Sequence, residues 1–442
     1  MLARVTTFAL DGIAPLRVSV EVDLRTGLPA FTIVGCGDAA VRESRERVHA
    51  AILNAGFAFP ARRVTVNLAP AHVRKVGPGF DLATACGVLA ASEQLPLDGL
   101  ERWAVFGELS LGGELRPCRG ALTVAEGARA AGLHGLVVPA GCAAEAALVD
   151  GLVVAGVEHL REVAAVLRGE RPPALPARAI TAAPPADGAD LADVRGHAEP
   201  IRALAIAAAG GHNVLLSGPP GTGKTMLARR LPSILPALSR EEAIEVTRIH
   251  GVAGRGRGPG LVVERPFRAP HHTISAAGLV GGGSVPTPGE ASLAHHGVLF
   301  LDELSEFSRA SLEALRQPLE DGRVTVVRGQ RSLVFPTRFM LAAATNPCPC
   351  GHGAQPRCRC TEADLARHRR RLTGPLLDRL DLVVHVGRPG AEELAAPPVT
   401  SSALLRTEVQ GARERQAVRW AGTEVACNAR TPAGLAARLA LA

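Results

Sequence analysis

The chain has no tyrosine and only two lysines, Lys75 and Lys224, in a sequence otherwise rich in arginine. The missing tyrosine goes with a general excess of Ala, Gly, Pro and Arg, a compositional bias to which no function attaches. Long apolar runs are also missing. The longest, such as GVLAA and LVVAGV, fall far short of the roughly 20 residues that a membrane span needs. The N-terminus MLARVTTFALDG lacks the apolar segment of a signal peptide, so a cytoplasmic protein without membrane partners is expected. The nine cysteines are odd in number and no secretion signal accompanies them, which argues against a disulfide framework. No internal repeat is present.

What is there fills 442 residues, of which 47% are apolar, enough for two or three domains with ordinary cores. The formal charge of +7 is unevenly placed. Residues 1–170 carry 16 Lys and Arg against 18 Asp and Glu, while residues 171–442 carry 33 against 24. That basic surplus fits either a polyanionic partner or a solvated basic face.

The clearest boundary is RGERPPALPARAITAAPPADGAD (168–190), rich in Pro and Ala without apolar periodicity, which reads as a semi-rigid linker. Before it, PLRVSVEVDL (15–24) and RRVTVNLA (62–69) alternate as half-buried strands do. Between them, residues 38–56 place Val41, Val48 and Ile52 at helical spacing, with Gly56 as a stop. The first domain is therefore mixed α/β. After the linker, four short apolar runs at 213–218, 297–303, 339–346 and 380–386 read as buried parallel strands. The expected plan is a first domain at 1–168, a linker at 169–190, a P-loop α/β core at 191–390 and a C-terminal region at 391–442.

GPPGTGKT (218–225) satisfies G-x-x-x-x-G-K-[ST], with a strand before it and a helical stretch after it. Gly218, Pro219, Pro220, Gly221, Thr222 and Gly223 would wrap the ATP phosphates, with Gly218, Gly221 and Gly223 letting backbone N–H groups converge on the phosphate oxygens. Lys224 would reach the β- and γ-phosphates, and Thr225 would hold Mg²⁺. GVLFLDE (297–303) delivers Asp302 toward the same Mg²⁺ and Glu303 toward the attacking water. Asn346, ending the third run, is placed to meet that water or the γ-phosphate. Arg379 precedes the fourth run. It is either an arginine offered across a subunit boundary to the γ-phosphate or the partner of Asp378 or Asp381 in a salt bridge.

Taken together, NVLLSGPPGTGKT, RPFRAPHHTIS, PGEASLAHHGVLFLDEL, NPCPCG and LTGPLLDRLDL resemble the ComM/YifB branch of the magnesium-chelatase-like AAA+ ATPases. The resemblance covers nearly the whole chain. It implies a homo-hexameric ring, Asn346 as sensor 1, Arg379 as arginine finger, and branch migration of DNA during natural transformation and homologous recombination. A chelatase-type motor for metal insertion into a tetrapyrrole and a non-catalytic AAA+ adaptor are the alternatives. Chelatase motor subunits resemble only the second domain, so the first domain and the basic remainder favour DNA.

GRVTVVRGQRSLVFPTRF (322–339) reads as a β-hairpin with Arg328 and Arg331 at its tip and Arg323 and Arg338 at its base. In related ring ATPases a hairpin before sensor 1 faces the pore, so these four arginines are candidates to grip a DNA backbone. The insert 251–297 holds Arg255, Arg257, Arg265, Arg268 and the pairs His271/His272 and His295/His296. Four histidines invite a metal reading, but adjacent histidines in a strand face opposite ways, so each pair gives one ligand to a site unless the local backbone is irregular, and no carboxylate lies at ligand spacing. A structural or DNA-facing insert is expected there. Cys348, Cys350, Cys358 and Cys360 form C-x-C-x7-C-x-C, which can close a tetrahedral site for Zn²⁺.

The stretches at 74–91 and 107–133 resemble the Lon-protease-like domain that the ComM/YifB family carries N-terminally. Where Lon-type proteases have K-x-G-P-S-A-G, this chain reads KVGPGFD, with Gly79 and Phe80, and Leu122 stands where the catalytic lysine is expected. Without nucleophile and base, peptide hydrolysis has no covalent route. Lys75 is read as a DNA-phosphate ligand or a structural residue. After Arg379 only 63 residues remain; ARERQAVRWAG (412–422) resembles the start of the family's C-terminal region, and a truncated lid is expected.

Overall fold

The structure is a computed structural model, and it describes residues 1–170, 188–255, 260–283, 286–328, 331–353, 357–371, 376–423 and 425–436. Most of the linker read at 169–190 and Arg257 of the insert lie outside the described residues. The chain divides into a unit of Met1–Ala182 with Thr247–Val262 and a unit of Ala183–Val246 with Val263–Ala442.

The first unit is built on a seven-stranded mixed sheet. Its order is Ala30–Val34, Arg63–Ala69, Ala14–Arg25, Leu2–Asp11, Trp103–Val105, Gly135–Pro139 and Val153–Val157. The alternation read at 15–24 becomes the strand Ala14–Arg25, in which Val18, Val20 and Val22 are wholly buried. The helical spacing at 38–56 becomes Ala39–Asn54, capped by Asp38, whose side chain accepts the N–H of Val41. Helix Asp81–Ala91 is apolar all round and buried along its length. Burial at its start is not confined to apolar groups: Asp81 accepts both Arg47 Nε at 2.7 Å and Nη2 at 3.1 Å.

Two details of this unit bear on the protease question. A Cβ built on Gly79 would lie 2.5 Å from the Phe106 ring, so that ring fills the space a serine side chain would need. Leu122 is wholly buried in the apolar interior. Lys75 is also wholly buried, with its Nζ donating to the Pro70 carbonyl. A lysine enclosed in this way does not reach a DNA phosphate, which corrects that reading in favour of the structural one.

The second unit carries a five-stranded parallel sheet, in the order Phe267–Arg268, Val298–Leu301, Met340–Thr345, Val214–Ser217, Leu382–His385. Four of these are the apolar runs seen in the sequence. The fifth, Phe267–Arg268, is only two residues long and too short to carry a period. Helices Ala198–Gly210 and Lys224–Ile234 pack with Ser402–Arg419. Polar contacts hold that last helix in place: Ser402 Oγ accepts the Leu191 N–H at 2.9 Å, and Gln416 Nε2 donates to the Ala209 carbonyl at 2.9 Å. The hairpin expected at 322–339 is present as Arg323–Arg328 paired antiparallel with Arg331–Pro336. Val324, Val326, Leu333 and Phe335 form its buried face. Among the described residues, no helix is long and apolar enough to cross a membrane.

Candidate active site

The strand Val214–Ser217 runs straight into the glycine-rich loop, and the helix Lys224–Ile234 leaves it. Gly221 and Gly223 take left-handed φ values of +73° and +87°, which fold successive N–H groups into a concave anion nest at the helix N-terminus. Parallel pairing of Val214–Ser217 with Met340–Thr345, and of the latter with Val298–Leu301, places three strand ends side by side. Asn346 and Asp302 therefore emerge next to the loop, although they lie far from it in sequence. This is the carboxyl edge of a parallel sheet, where α/β folds bind ligands.

Pro220, Gly221, Thr222, Gly223, Lys224, Thr225, Met226, Asp302, Glu303 and Asn346 line one cavity of about 390 Å³. Lys224 Nζ donates to the carbonyls of Gly218 at 2.7 Å and Pro219 at 2.8 Å, and to Asn346 Oδ1 at 3.1 Å. Burial pushes its ammonium pKa below the usual lysine value, while the charges of Asp302 and Glu303 oppose the shift. Thr225 Oγ1 donates to Asp302 Oδ2 at 2.7 Å. That puts a hydroxyl and a carboxylate, both hard oxygen donors, side by side beneath the nest, a donor set that suits Mg²⁺ at a bound triphosphate. Glu303 has a left-handed φ of +53°, and its N–H donates to Asp302 Oδ1 at 3.0 Å. The turn that results sends two consecutive acidic side chains into the same cavity.

Comparison with known proteins agrees with this geometry. The family described as "Magnesium chelatase, subunit ChlI" matches residues 190–394, and "Subunit ChlI of Mg-chelatase" matches residues 20–141. An uncharacterised protein YifB of Salmonella typhimurium is 45% identical over 94% of this chain and 82% of its own length. Competence protein ComM of Haemophilus influenzae is 41% identical over the same shares. The chain belongs to the ComM/YifB family. More distantly, a Holliday junction branch migration complex subunit RuvB of a Parafrankia species is 31% identical over 48% of this chain and 46% of its own length. Membership in this magnesium-chelatase-like AAA+ family implies ATP hydrolysis with Mg²⁺.

Around the ComM/YifB nucleotide site, two residues make contacts that the sequence did not assign to them. His272 Nδ1 stands 3.5 Å from Glu303 Oε2, and its ring faces His271 and Phe307. Nothing in the sequence signalled this, because the two lie 31 positions apart. Arg379 does not line the cavity. Its Nη2 donates to Glu320 Oε1 at 2.6 Å, so the salt-bridge partner is Glu320, neither Asp378 nor Asp381. Asp381 is engaged elsewhere, accepting the Asn213 N–H at 2.8 Å.

The four cysteines do come together. Sγ of Cys348 lies 3.3 Å from that of Cys350 and 3.8 Å from that of Cys358, and the Cys350–Cys358 separation is 3.6 Å. With Cys360 they form a group whose sulfurs all lie within 4.8 Å of one another and could hold a metal ion. Backbone N–H groups of His352 and Arg359 hold the Cys350 thiol down to about 6.

Two expectations about the insert are corrected. His296 takes a left-handed φ of +56°, so this adjacent pair does not face opposite ways. Both Nε2 atoms meet one carboxylate oxygen of Glu245, at 2.8 Å each, and the missing carboxylate partner thus comes from fifty residues upstream. The three could be read as a metal triad, but the hydrogen bonds oppose it. His295 Nδ1 accepts the Arg338 N–H at 3.0 Å, which leaves the ring proton on Nε2, pointing at Glu245. A ligating histidine needs the reverse, with its second nitrogen donating to an acceptor. Arg265 and Arg268 are likewise internal struts. The first donates to the carbonyls of Pro236 and His296, and the second grips Glu290 with two bonds of 2.6 and 2.8 Å.

At the hairpin, Arg323 and Arg338 are exposed at its base. Arg328 and Arg331 face each other in register next to its tip, with their side chains outside the description.

Proposed function

We propose that this protein is an ATP-dependent DNA motor that promotes branch migration during natural transformation and homologous recombination, working as a homo-hexamer in the cytoplasm. The observation that carries the reading is a single run of chain. The arginine-bearing hairpin Arg323–Pro336 leads directly into Met340–Thr345, the strand that ends on Asn346 inside the nucleotide cavity. Movement of one end is thereby tied to phosphate chemistry at the other. The likeness to proteins named for competence and for Holliday junction branch migration supports the same substrate class.

The roles follow from position. Gly218 to Gly223 cradle the triphosphate, Lys224 leaves its carbonyl partners for the β- and γ-phosphates, and Thr225 and Asp302 hold Mg²⁺. Bound there, Mg²⁺ neutralises charge that develops on the transferring phosphoryl group. Glu303 orients the water and draws its proton, and Asn346 senses the γ-phosphate. Arg379 lies outside its own cavity and is free to serve a neighbouring subunit once it leaves Glu320. Arg323, Arg328, Arg331 and Arg338 grip DNA phosphates without reading bases. The Lon-like unit, with Phe106 over Gly79 and Leu122 buried, acts without peptide hydrolysis. Cys348, Cys350, Cys358 and Cys360 take structural Zn²⁺, the soft tetrahedral choice for four thiolates.

The deciding experiment is the ATPase rate of the full chain with and without forked or four-way DNA, together with its mass in solution with ATP. DNA-stimulated turnover in a hexamer is the expected result. Turnover indifferent to DNA would refute the motor reading.

A further inference from the structure

Zinc bound by four thiolates has metal–sulfur distances of about 2.3 Å, which sets sulfur–sulfur edges of about 3.8 Å in a regular tetrahedron. The edges of 3.3, 3.6 and 3.8 Å among Cys348, Cys350 and Cys358 are already close to that figure. The knot therefore needs little backbone movement to close on a metal. Outside itself, the knot reaches the nucleotide site on two sides.

One side is Asn346. Only Pro347 separates it from Cys348, which is wholly buried and whose sulfur accepts the Gly353 N–H at 3.1 Å. At the other end of the knot, helix Glu362–Arg371 starts two residues after Cys360. From that helix the buried His368 donates its Nε2 proton back to the Asn346 carbonyl at 3.0 Å. The asparagine is thus clasped between the chain that enters the knot and the helix that leaves it. The other side is the phosphate loop. Gly351, at a φ of +82°, lies so close to Pro220 that a Cβ there would sit 2.5 Å from the ring Cδ and 2.6 Å from Cγ. Pro220 lines the nucleotide cavity.

We propose that the four-cysteine metal knot is a brace for the nucleotide site, setting Asn346 on one side and the Pro220 end of the phosphate loop on the other. The ligand is a single Zn²⁺, and the inference rests on the zinc reading given above. Loss of the metal frees Cys348 and Cys360 from each other, and with them the clasp on Asn346. Gly351, Pro220 and His368 are positioning residues in this scheme.

The test uses the full chain, purified reduced and without chelators, and reads zinc per chain, the Kd for MgATP by calorimetry, and turnover. One zinc per chain is expected. Gly351→Ala keeps all four thiols and pushes a methyl group at Pro220. It is expected to retain the zinc and raise the Kd at least fivefold in the wild-type background, but less than twofold when Pro220→Ala removes the ring atoms it strikes. A purely structural defect would weaken both backgrounds alike, and that outcome, or an unchanged Kd, overturns the brace. Stripping the wild-type protein with a mercurial and a chromogenic chelator should cut turnover at least tenfold, with recovery on adding thiol and Zn²⁺. Full turnover by the stripped protein would also overturn it. Zinc near zero in the untreated protein would defeat the zinc reading itself, a result distinct from zinc at one per chain with an indifferent nucleotide site.

Discussion

Replacing His295 with asparagine removes one titrating ring from the Glu245 cluster, and the consequence can be worked out in sign and size. His295 is almost wholly buried. Burial, ahead of the opposing hydrogen bond to Glu245, pushes its pKa from 6.5 down to about 4. The groups facing it are Glu245, His296 and Arg338. Between the two values the unfolded chain binds the proton and the folded chain does not, so stability is fully present above 6.5 and falls as the pH drops toward 4. For these values the loss at pH 5 is about 2 kcal/mol, and at pH 7.5 it is close to nothing. Glu245 is shifted the other way, held well below the ordinary carboxylate range by bonds from His295 and His296. Its contribution stays in place above about 4.5 and does not enter this window. Asparagine can still offer an oxygen to the Arg338 N–H, so the cost at pH 7.5 is that of a lost hydrogen bond to a charged group, about 2 kcal/mol. The assay is urea unfolding at pH 7.5 and 5.0 in a Trp103→Phe background. Buried Trp420 is then the sole tryptophan and reports on the second unit. Between the two pH values the parent should lose about 2 kcal/mol more than the His295→Asn variant. Parallel losses would refute a neutral, desolvated ring at this position.

The remaining predictions test the proposed motor function. Lys224→Ala should abolish ATP binding, and Glu303→Gln should bind ATP without hydrolysing it, both read by calorimetry and phosphate release; turnover retained in either would remove that residue from the chemistry. Arg379→Ala should leave ATP affinity intact and lower kcat by about 10³-fold, the worth of an arginine finger. Glu320→Ala, which frees Arg379 from an exposed ion pair, should leave the urea-unfolding midpoint unchanged. Arg328→Ala with Arg331→Ala should weaken DNA binding and reduce the salt slope by roughly one for each lost phosphate contact. An unchanged slope would take the hairpin out of the DNA path.

The sheet of the second unit was legible because each of its four longer strands is a continuous apolar run, and continuous runs are what two-sided burial requires. The nucleotide loop was legible because its spacing is set by the phosphates it surrounds. What stayed hidden depends on contacts between residues far apart in sequence. Glu245 meets His295 from fifty residues away, Glu320 meets Arg379 from 59, and the local pattern around each records nothing of the other. Lys75 stayed open between two readings for a related reason. A rare lysine stands out in a sequence, but only packing reveals that it is enclosed. The cysteine spacing pointed correctly to a cluster of four sulfurs, while its contact with Pro220 has no sequence signature at all.

Adjacent histidines diverge only in a strand, and His296 leaves the strand region; the same departure occurs at the other end of the same strand. Val298–Leu301 is flanked by His296 at φ +56° and Glu303 at φ +53°, two non-glycine residues in the left-handed region. Such conformations cost of order 1 kcal/mol each and persist only where the surroundings over-determine them. Here they do. The His296 N–H donates to the Arg338 carbonyl at 2.7 Å, and its own carbonyl accepts Arg265 Nη1 at 2.7 Å. At the far end, the Glu303 N–H bonds to Asp302 Oδ1 and its carbonyl accepts the Glu306 N–H at 2.8 Å. The strand is therefore pinned at both ends by side-chain and loop contacts, in addition to its ladder. One pin lies on Arg338, at the base of the arginine hairpin, and the other aims Asp302 and Glu303 into the nucleotide cavity.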